Sequence, residues 1–176
     1  MTEIRWHARA GQGAKTAARL LAEALLRTGK SVQAFPEYGP ERRGAPVRAY
    51  TRVSDRPIRR HDPITEPDVV VVLEPSLARD TSVVEGLRED GLLLVNAEEP
   101  PADLVAEQRV RCVPADRLAA RSGADFANVV MLGAVAAVLG EPPLEELQDV
   151  AVAALGRKRS PRALRAAVGE GYAWAS

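Results

Sequence analysis

Apolar positions change period several times along the chain, and each change marks an element. Ile4–His7 reads as a short first strand that ends at a run of small residues. Beyond that run, Ala17, Leu20, Leu21, Ala24 and Leu25 keep the i, i+3, i+4, i+7, i+8 spacing of one helix face, while Arg19, Glu23 and Arg27 line the other. Glu23 and Arg27 stand in the favourable order for an i,i+4 pair, and Gly29 supplies a stop. Ser31–Phe35 follows as a second strand. Strand, turn, helix and strand in that order predict a right-handed βαβ unit in a parallel sheet.

After a loop over 36–46, Val47, Ala49, Thr51 and Val53 alternate with Arg48, Tyr50 and Arg52. That alternation predicts a strand with one polar face, an edge candidate that need not run parallel to the rest. Asp68-Val69-Val70-Val71-Val72-Leu73 does not alternate and is β-branched, as expected of a central strand covered on both sides. A helix is expected from about Ser76 to Arg88, then a buried strand Leu92–Asn96 and a strand Arg109–Val113. Helices over Ala127–Leu139, Leu144–Leu155 and Pro161–Ala173 complete the chain, broken at Gly140 and Gly156. Ser160 is the expected N-cap of the last, with Pro161 in its first turn. No repeat or linker divides residues 1–176. The expectation is a single three-layer α/β/α domain with a mostly parallel sheet and a helical C-terminal part.

The chain has 176 residues, enough for a substantial core without staples. Its 24 Lys and Arg balance 24 Asp and Glu, so no basic face for nucleic acid is indicated and association with other chains is mildly favoured. Cys112 is the only cysteine, so the chain can form no internal disulfide and offers one thiolate where a cluster or structural zinc needs several. In its strand, Cys112 is expected to be a buried, inert thiol. The N-terminal residues lack a basic, then apolar, signal pattern, and the apolar stretch around Val129–Leu139 is short of a membrane span. A cytoplasmic protein is expected.

Two segments carry candidate chemistry. In His7-Ala8-Arg9-Ala10-Gly11-Gln12-Gly13-Ala14-Lys15-Thr16, small residues stand where a strand hands over to a helix, and backbone N–H groups there can hold phosphate or carboxylate. Ala14 separates Gly13 from Lys15, which breaks a P-loop, and Thr16 stands where a dinucleotide fingerprint wants a third glycine. Glu37, beyond the second strand, stands where it could mimic a ribose-binding carboxylate, but one loosely placed acid does not establish such a site. A tight turn that binds nothing accounts for the same residues. The second segment runs Pro36-Glu37-Tyr38-Gly39-Pro40-Glu41-Arg42-Arg43-Gly44-Ala45-Pro46. Its prolines stiffen the path, Gly39 and Gly44 permit unusual backbone angles, and Arg42 and Arg43 offer planar forks for anions. Both segments follow strands, read as neighbours, so both belong at the carboxyl rim of the sheet, where ligands bind. The competing reading is a solvated loop in which Glu41 neutralises one arginine.

Taken together, these segments resemble the gamma subunit, or gamma domain, of the pyruvate:ferredoxin (2-oxoacid:acceptor) oxidoreductase family. The similarity continues through Val69–Pro75, through Asn128-Val129-Val130-Met131-Leu132-Gly133-Ala134 and on to Gly171-Tyr172, nearly the whole chain. Within that family the loop is more similar to the pyruvate and branched-chain members. The resemblance implies an accessory subunit of a thiamine-diphosphate-dependent complex that oxidatively decarboxylates a 2-oxoacid, most simply pyruvate or a related acid, to acyl-CoA. Thiamine diphosphate and magnesium would lie in alpha and beta subunits. Electrons would leave through iron–sulfur clusters to ferredoxin, and a ferredoxin-like delta subunit would be a further partner. The implied role here is packing on those subunits and helping to hold coenzyme A, with Gly11, Gln12, Gly13, Gly39, Pro40, Glu41, Arg42, Arg43, Gly44 and Asn128 as contact candidates. No catalytic residue, metal, nucleic acid or membrane is implied for this chain. The family usually has glycine where Ala8 and Ala10 stand, and added methyl groups would obstruct a ligand that needs close backbone approach.

Two other readings stand beside this one: a freestanding Rossmann-like protein that binds a nucleotide or coenzyme A, and a scaffold without enzymatic part. His7 and His61 are the only histidines and form no visible acid–base set, which counts against a self-sufficient catalyst. His7, at a strand end, is expected to be packed or hydrogen-bonded.

Overall fold

The computed structural model describes residues 1–37, 44–104, 106 and 109–176. A six-stranded sheet runs through it, from β1 (Thr2–Arg9), β2 (Ser31–Pro36) and β3 (Pro46–Ser54) to β4 (Val69–Val72), β5 (Leu92–Asn96) and β6 (Arg109–Val113), in the spatial order β2-β3-β1-β4-β5-β6. β1, β4, β5 and β6 are parallel neighbours, and β3 pairs antiparallel with both β1 and β2. The sheet is mostly parallel, as expected of this α/β chain.

The opening βαβ expectation needs correction. α1 (Ala14–Arg27) does join β1 to β2, but the two strands are not adjacent, because β3 lies between them. Nor is β3 an edge strand. Its two sides match β1 over Thr2↔Val53 to Arg9↔Pro46 and β2 over Ser31↔Ser54 to Pro36↔Ala49. Alternation reports a strand with two unlike faces; it does not report which strands flank it. Since β3 opposes both, β1 and β2 still point the same way and end at one rim.

Alternation also assigns side chains to layers. Ile4, Trp6, Ala8, Ala49 and Val53 join α1, α3 (Ala115–Arg121), α4 (Ala127–Leu139), α5 (Leu144–Leu155) and α6 (Pro161–Ala175) in the main core. α4 is apolar on every side, with Val129–Ala136 all buried, as befits a helix enclosed by sheet and neighbours. Val70, Val72, Leu93 and Val95 face the opposite layer, a thin one of Leu77, Ala78, Val83 and Leu87. A long helix over Ser76–Arg88 does not form there. A 3-10 turn over Pro75–Arg79 and α2 (Thr81–Val84) replace it, because Asp80 is extended (φ −89°, ψ 119°) and caps Ser82 N–H. Asp, Ser and Thr favour caps over helix interiors, and Thr81-Ser82-Val83-Val84 holds no strong helix former.

The polar side of β1 and β3 is buried rather than solvated. Arg52 is 0 % exposed and donates from Nε to Glu3 Oε1 at 2.7 Å, with Asp62 3.7 Å from Nη2. Arg5 donates from Nη2 to the carbonyls of Val83 and Glu85, which ties α2 to the sheet. Ser160 accepts from Ala163 N–H as the N-cap of α6. The short helix α3 follows β6 without having been evident in the sequence pattern.

Candidate functional site

Where β1 ends, Gly11 (φ 100°) and Gly13 (φ 85°) turn the chain into α1 through left-handed backbone that side chains disfavour. Gln12 folds back on this corner. Its Oε1 accepts from Arg9 N–H at 2.7 Å, and its Nε2 donates to Glu74 Oε2 at 2.7 Å, beyond the end of β4. Burial pushes the Glu74 carboxyl up, but hydrogen bonds from Gln12 and Ser76 outweigh it and leave the group below its usual range. Gly13, the N-cap of α1, supplies no capping side chain, so the first-turn N–H groups face the rim without one.

Asn128 lies across from Gly13. It is 7 % exposed, and its Nδ2 donates to Gly13 O at 3.3 Å. Asn128 is not the cap of α4; Phe126 holds that position, with no side-chain cap. A Cβ on Gly13 would sit 2.5 Å from Asn128 Nδ2, so Gly13 is demanded both by its φ and by this neighbour. Gly11, Gln12, Gly13 and Asn128, from two distant stretches, thus border one cavity of about 440 Å³. Glu74, Asp116, Asp125, Phe126 and Arg159 also line it, the Arg159 guanidinium lying over the Phe126 ring. Three carboxylates against one arginine suit hydroxyl and amino donors better than phosphate. Sequence reasoning missed these five as site residues; for Glu74, its place at the end of a central strand was an available signal.

Ala8 and Ala10 do not line this cavity. Ala8 is wholly buried in the main core, and Ala10 donates its N–H to Ala45 O at 2.9 Å. Their methyl groups therefore leave the cavity clear. That last bond brings the charged loop's far end to the glycine corner, and Arg9 Nη1 reinforces it by donating to Gly44 O at 3.1 Å. Of the loop's candidates only Gly44 (φ 78°) is described; Gly39, Pro40, Glu41, Arg42 and Arg43 lie outside the described residues.

Among the described residues, no group of three His, Cys, Asp or Glu could hold a metal ion. Cys112, the lone thiol, is half-buried, and burial raises its pKa, so it stays protonated at neutral pH. An iron–sulfur cluster needs more thiolates than this sequence contains. Among the described residues, no helix is long and apolar enough to cross a membrane.

Fold and rim together define an α/β domain with a glycine corner of its own type, neither a P-loop nor a dinucleotide fingerprint. The chain belongs to the pyruvate ferredoxin/flavodoxin oxidoreductase family, whose model matches residues 3–174. It is similar to the pyruvate/ketoisovalerate oxidoreductases common subunit gamma of Pyrococcus abyssi, 44% identical over 176 residues that cover 94% of this chain and 95% of the relative. Pyruvate synthase subunit PorC of Thermotoga maritima is 45% identical over 162 residues, 89% of this chain and 83% of that one. The crystal structure of the Thermotoga maritima pyruvate oxidoreductase subunit PORC (EC 1.2.7.1) superposes with a TM-score of 0.86 at 39% identity, covering 98% and 96% of the two chains. Within the family the chain is therefore of the gamma-subunit type, a subunit of an oxidoreductase.

Proposed function

We propose that this chain is the gamma subunit of a thiamine-diphosphate-dependent complex that oxidises pyruvate or a branched-chain 2-oxoacid to its acyl-CoA. It packs against alpha, beta and ferredoxin-like delta subunits and supplies part of the coenzyme A site. The observation that carries this reading is the junction of two sequence-distant segments at one rim, Ala10 N–H on Ala45 O and Arg9 on Gly44 O. These bonds fix the exit of the Gly39–Gly44 loop beside the Gly11-Gln12-Gly13 corner, with Asn128 on the same wall.

In this reading Arg42 and Arg43 take the phosphates, because guanidinium forks suit phosphate and the cavity under the glycine corner is rich in carboxylates. The corner and Asn128 border the site and exclude water from it. Thiamine diphosphate, magnesium and the clusters belong to the other subunits, and electrons pass through those clusters to ferredoxin. One thiol leaves this chain without a cluster donor set.

The test uses the assembled complex carrying Arg42→Ala and Arg43→Ala. The expected result is intact assembly with coenzyme A affinity weakened about tenfold or more, as for loss of a charge-assisted contact. Unchanged affinity in an intact complex would remove the binding role. Purification from the native host should bring alpha, beta and delta subunits with the chain, and their absence would favour a freestanding protein.

A further inference from the structure

A second cavity, of about 430 Å³, opens on the opposite face of the sheet from the glycine corner. Leu77 and Val83, from the thin layer on that face, form its aliphatic walls. His7, Glu37, Arg48 and Asp80 bring the polar groups. We infer that this cavity binds an uncharged carbonyl, a secondary amide flanked by aliphatic carbon, with the Nδ1–H of His7 as its donor.

The geometry sets the donor. His7 is 3 % exposed, and its Nε2 accepts from Arg5 Nε at 3.0 Å. Arg5 is itself held by the carbonyls of Val83 and Glu85, so the ring is bonded to a fixed donor and cannot turn without breaking that bond. With Nε2 an acceptor, a neutral ring carries its proton on Nδ1. Burial first, and then the Arg5 and Arg48 charges against an opposing Asp80, push the His7 pKa down to about 3, so the ring stays neutral. No described residue accepts from Nδ1, and that atom is not among the enclosed, unpartnered ones. A nearly buried histidine thus presents one fixed, neutral donor to the cavity that it lines.

Charge selects the ligand class. The walls carry one arginine and two carboxylates. Arg48 stands 3.8 Å from Glu37, and Asp80 accepts Ser82 N–H at 2.9 Å. Glu37 and Asp80 oppose an added carboxylate or phosphate, whereas a cation offers nothing for the Nδ1–H to bond. A neutral carbonyl satisfies the donor without adding charge, its N–H can meet Glu37 or Asp80, and its aliphatic flanks match the walls.

Such an amide has two sources: the pantetheine arm of a coenzyme, which rests on the coenzyme A reading above, or the backbone of a partner subunit, which does not. The test is a ¹⁵N-histidine NMR titration of the full chain. Its two histidines give two spin systems, and His61→Gln assigns them. Pantetheine, a neutral diamide, is the probe, with isobutyrate and inorganic phosphate as charged controls. Pantetheine should move the His7 Nδ1–H signal saturably while the controls do not. His7→Phe, which keeps a ring but no donor, should raise the pantetheine dissociation constant about tenfold. If pantetheine leaves the signal in place but assembly with alpha and beta subunits shifts it and slows its solvent exchange, the amide belongs to a partner. A signal moved by neither, or moved equally by isobutyrate or phosphate, overturns the inference. Substitution of Arg42 and Arg43 is read by affinity for the whole coenzyme, whereas pantetheine carries no nucleotide phosphates, so the two readings fail separately.

Discussion

Replacing Gly171 by alanine would push one methyl into the crossing of α4 and α6. The new Cβ would lie 1.9 Å from Val130 O and 2.7 Å from its carbonyl carbon, both backbone atoms that no rotamer change can clear. The helices would have to part by about 1 Å, and a gap of that size forfeits roughly a quarter to a half of each dispersion contact across it. Overpacking of this kind costs about 1–3 kcal/mol and occasionally more. The better helix propensity of alanine returns about 0.8–1 kcal/mol. Because the obstacle is rigid, the upper end of that cost applies, and a net loss of about 2 kcal/mol is expected, or a drop in Tm of about 4–8 °C for a chain of this size. Gly169 is the control on the same helix, since its Cβ would meet only Gln148 Nε2, at an ordinary 3.5 Å. There alanine should stabilise by about 0.5–1 kcal/mol. Urea unfolding followed by circular dichroism measures both. Equal midpoints for Gly169→Ala and Gly171→Ala would refute the close-crossing argument. Gly133, whose Cβ would lie 2.1 Å from Val168 O, should behave as Gly171 does. The double variant should cost less than the sum, because the helices have already parted.

Gly13→Ala carries two penalties, a left-handed backbone worth about 1–2 kcal/mol and the clash with Asn128. Asn128→Ala should remove only the second, so a double-mutant cycle by chemical denaturation should show the pair less than additive. Glu3→Leu should destabilise by about 3–5 kcal/mol, by leaving Arg52 charged and enclosed; Glu3→Leu with Arg52→Leu should recover most of that, with thermal melts as the readout. His7 has a folded pKa of about 3, below its unfolded value, so between about pH 6.5 and 3 the unfolded chain binds the extra proton. Stability from its neutral burial is complete above about pH 6.5 and is lost on acidification, at up to about 1.4 kcal/mol per unit. Urea midpoints from pH 7 to 5 should flatten in His7→Phe; an unchanged slope would show that His7 does not drive it.

The local elements were legible from period alone. α4, α5 and the strands β5 and β6 stand where apolar spacing put them, because each rests on side chains within a few residues. The resemblance, too, drew on contiguous residues, and the family match over 3–174 bears it out. What pattern could not reveal was anything set by a partner far along the chain. β3 was readable as a two-faced strand, but only packing inserts it between β1 and β2. Arg52, read as part of a polar face, is enclosed because Glu3 and Asp62 reach it from other segments. The Ser76–Arg88 helix fails because Asp80 and Ser82 find local capping bonds that compete with helix. Ala8, a doubtful departure in sequence, turns out to spend its methyl in the core. The site divides in the same way. Gly11, Gly13 and Gly44 could be named from their chemistry, whereas the meeting of Gly13 with Asn128, and the tautomer that Arg5 imposes on His7, exist only in three dimensions. Backbone preference and hydrophobic period are properties of neighbours in sequence; hydrogen-bond partnership and burial are properties of neighbours in space, and tertiary packing alone decides those.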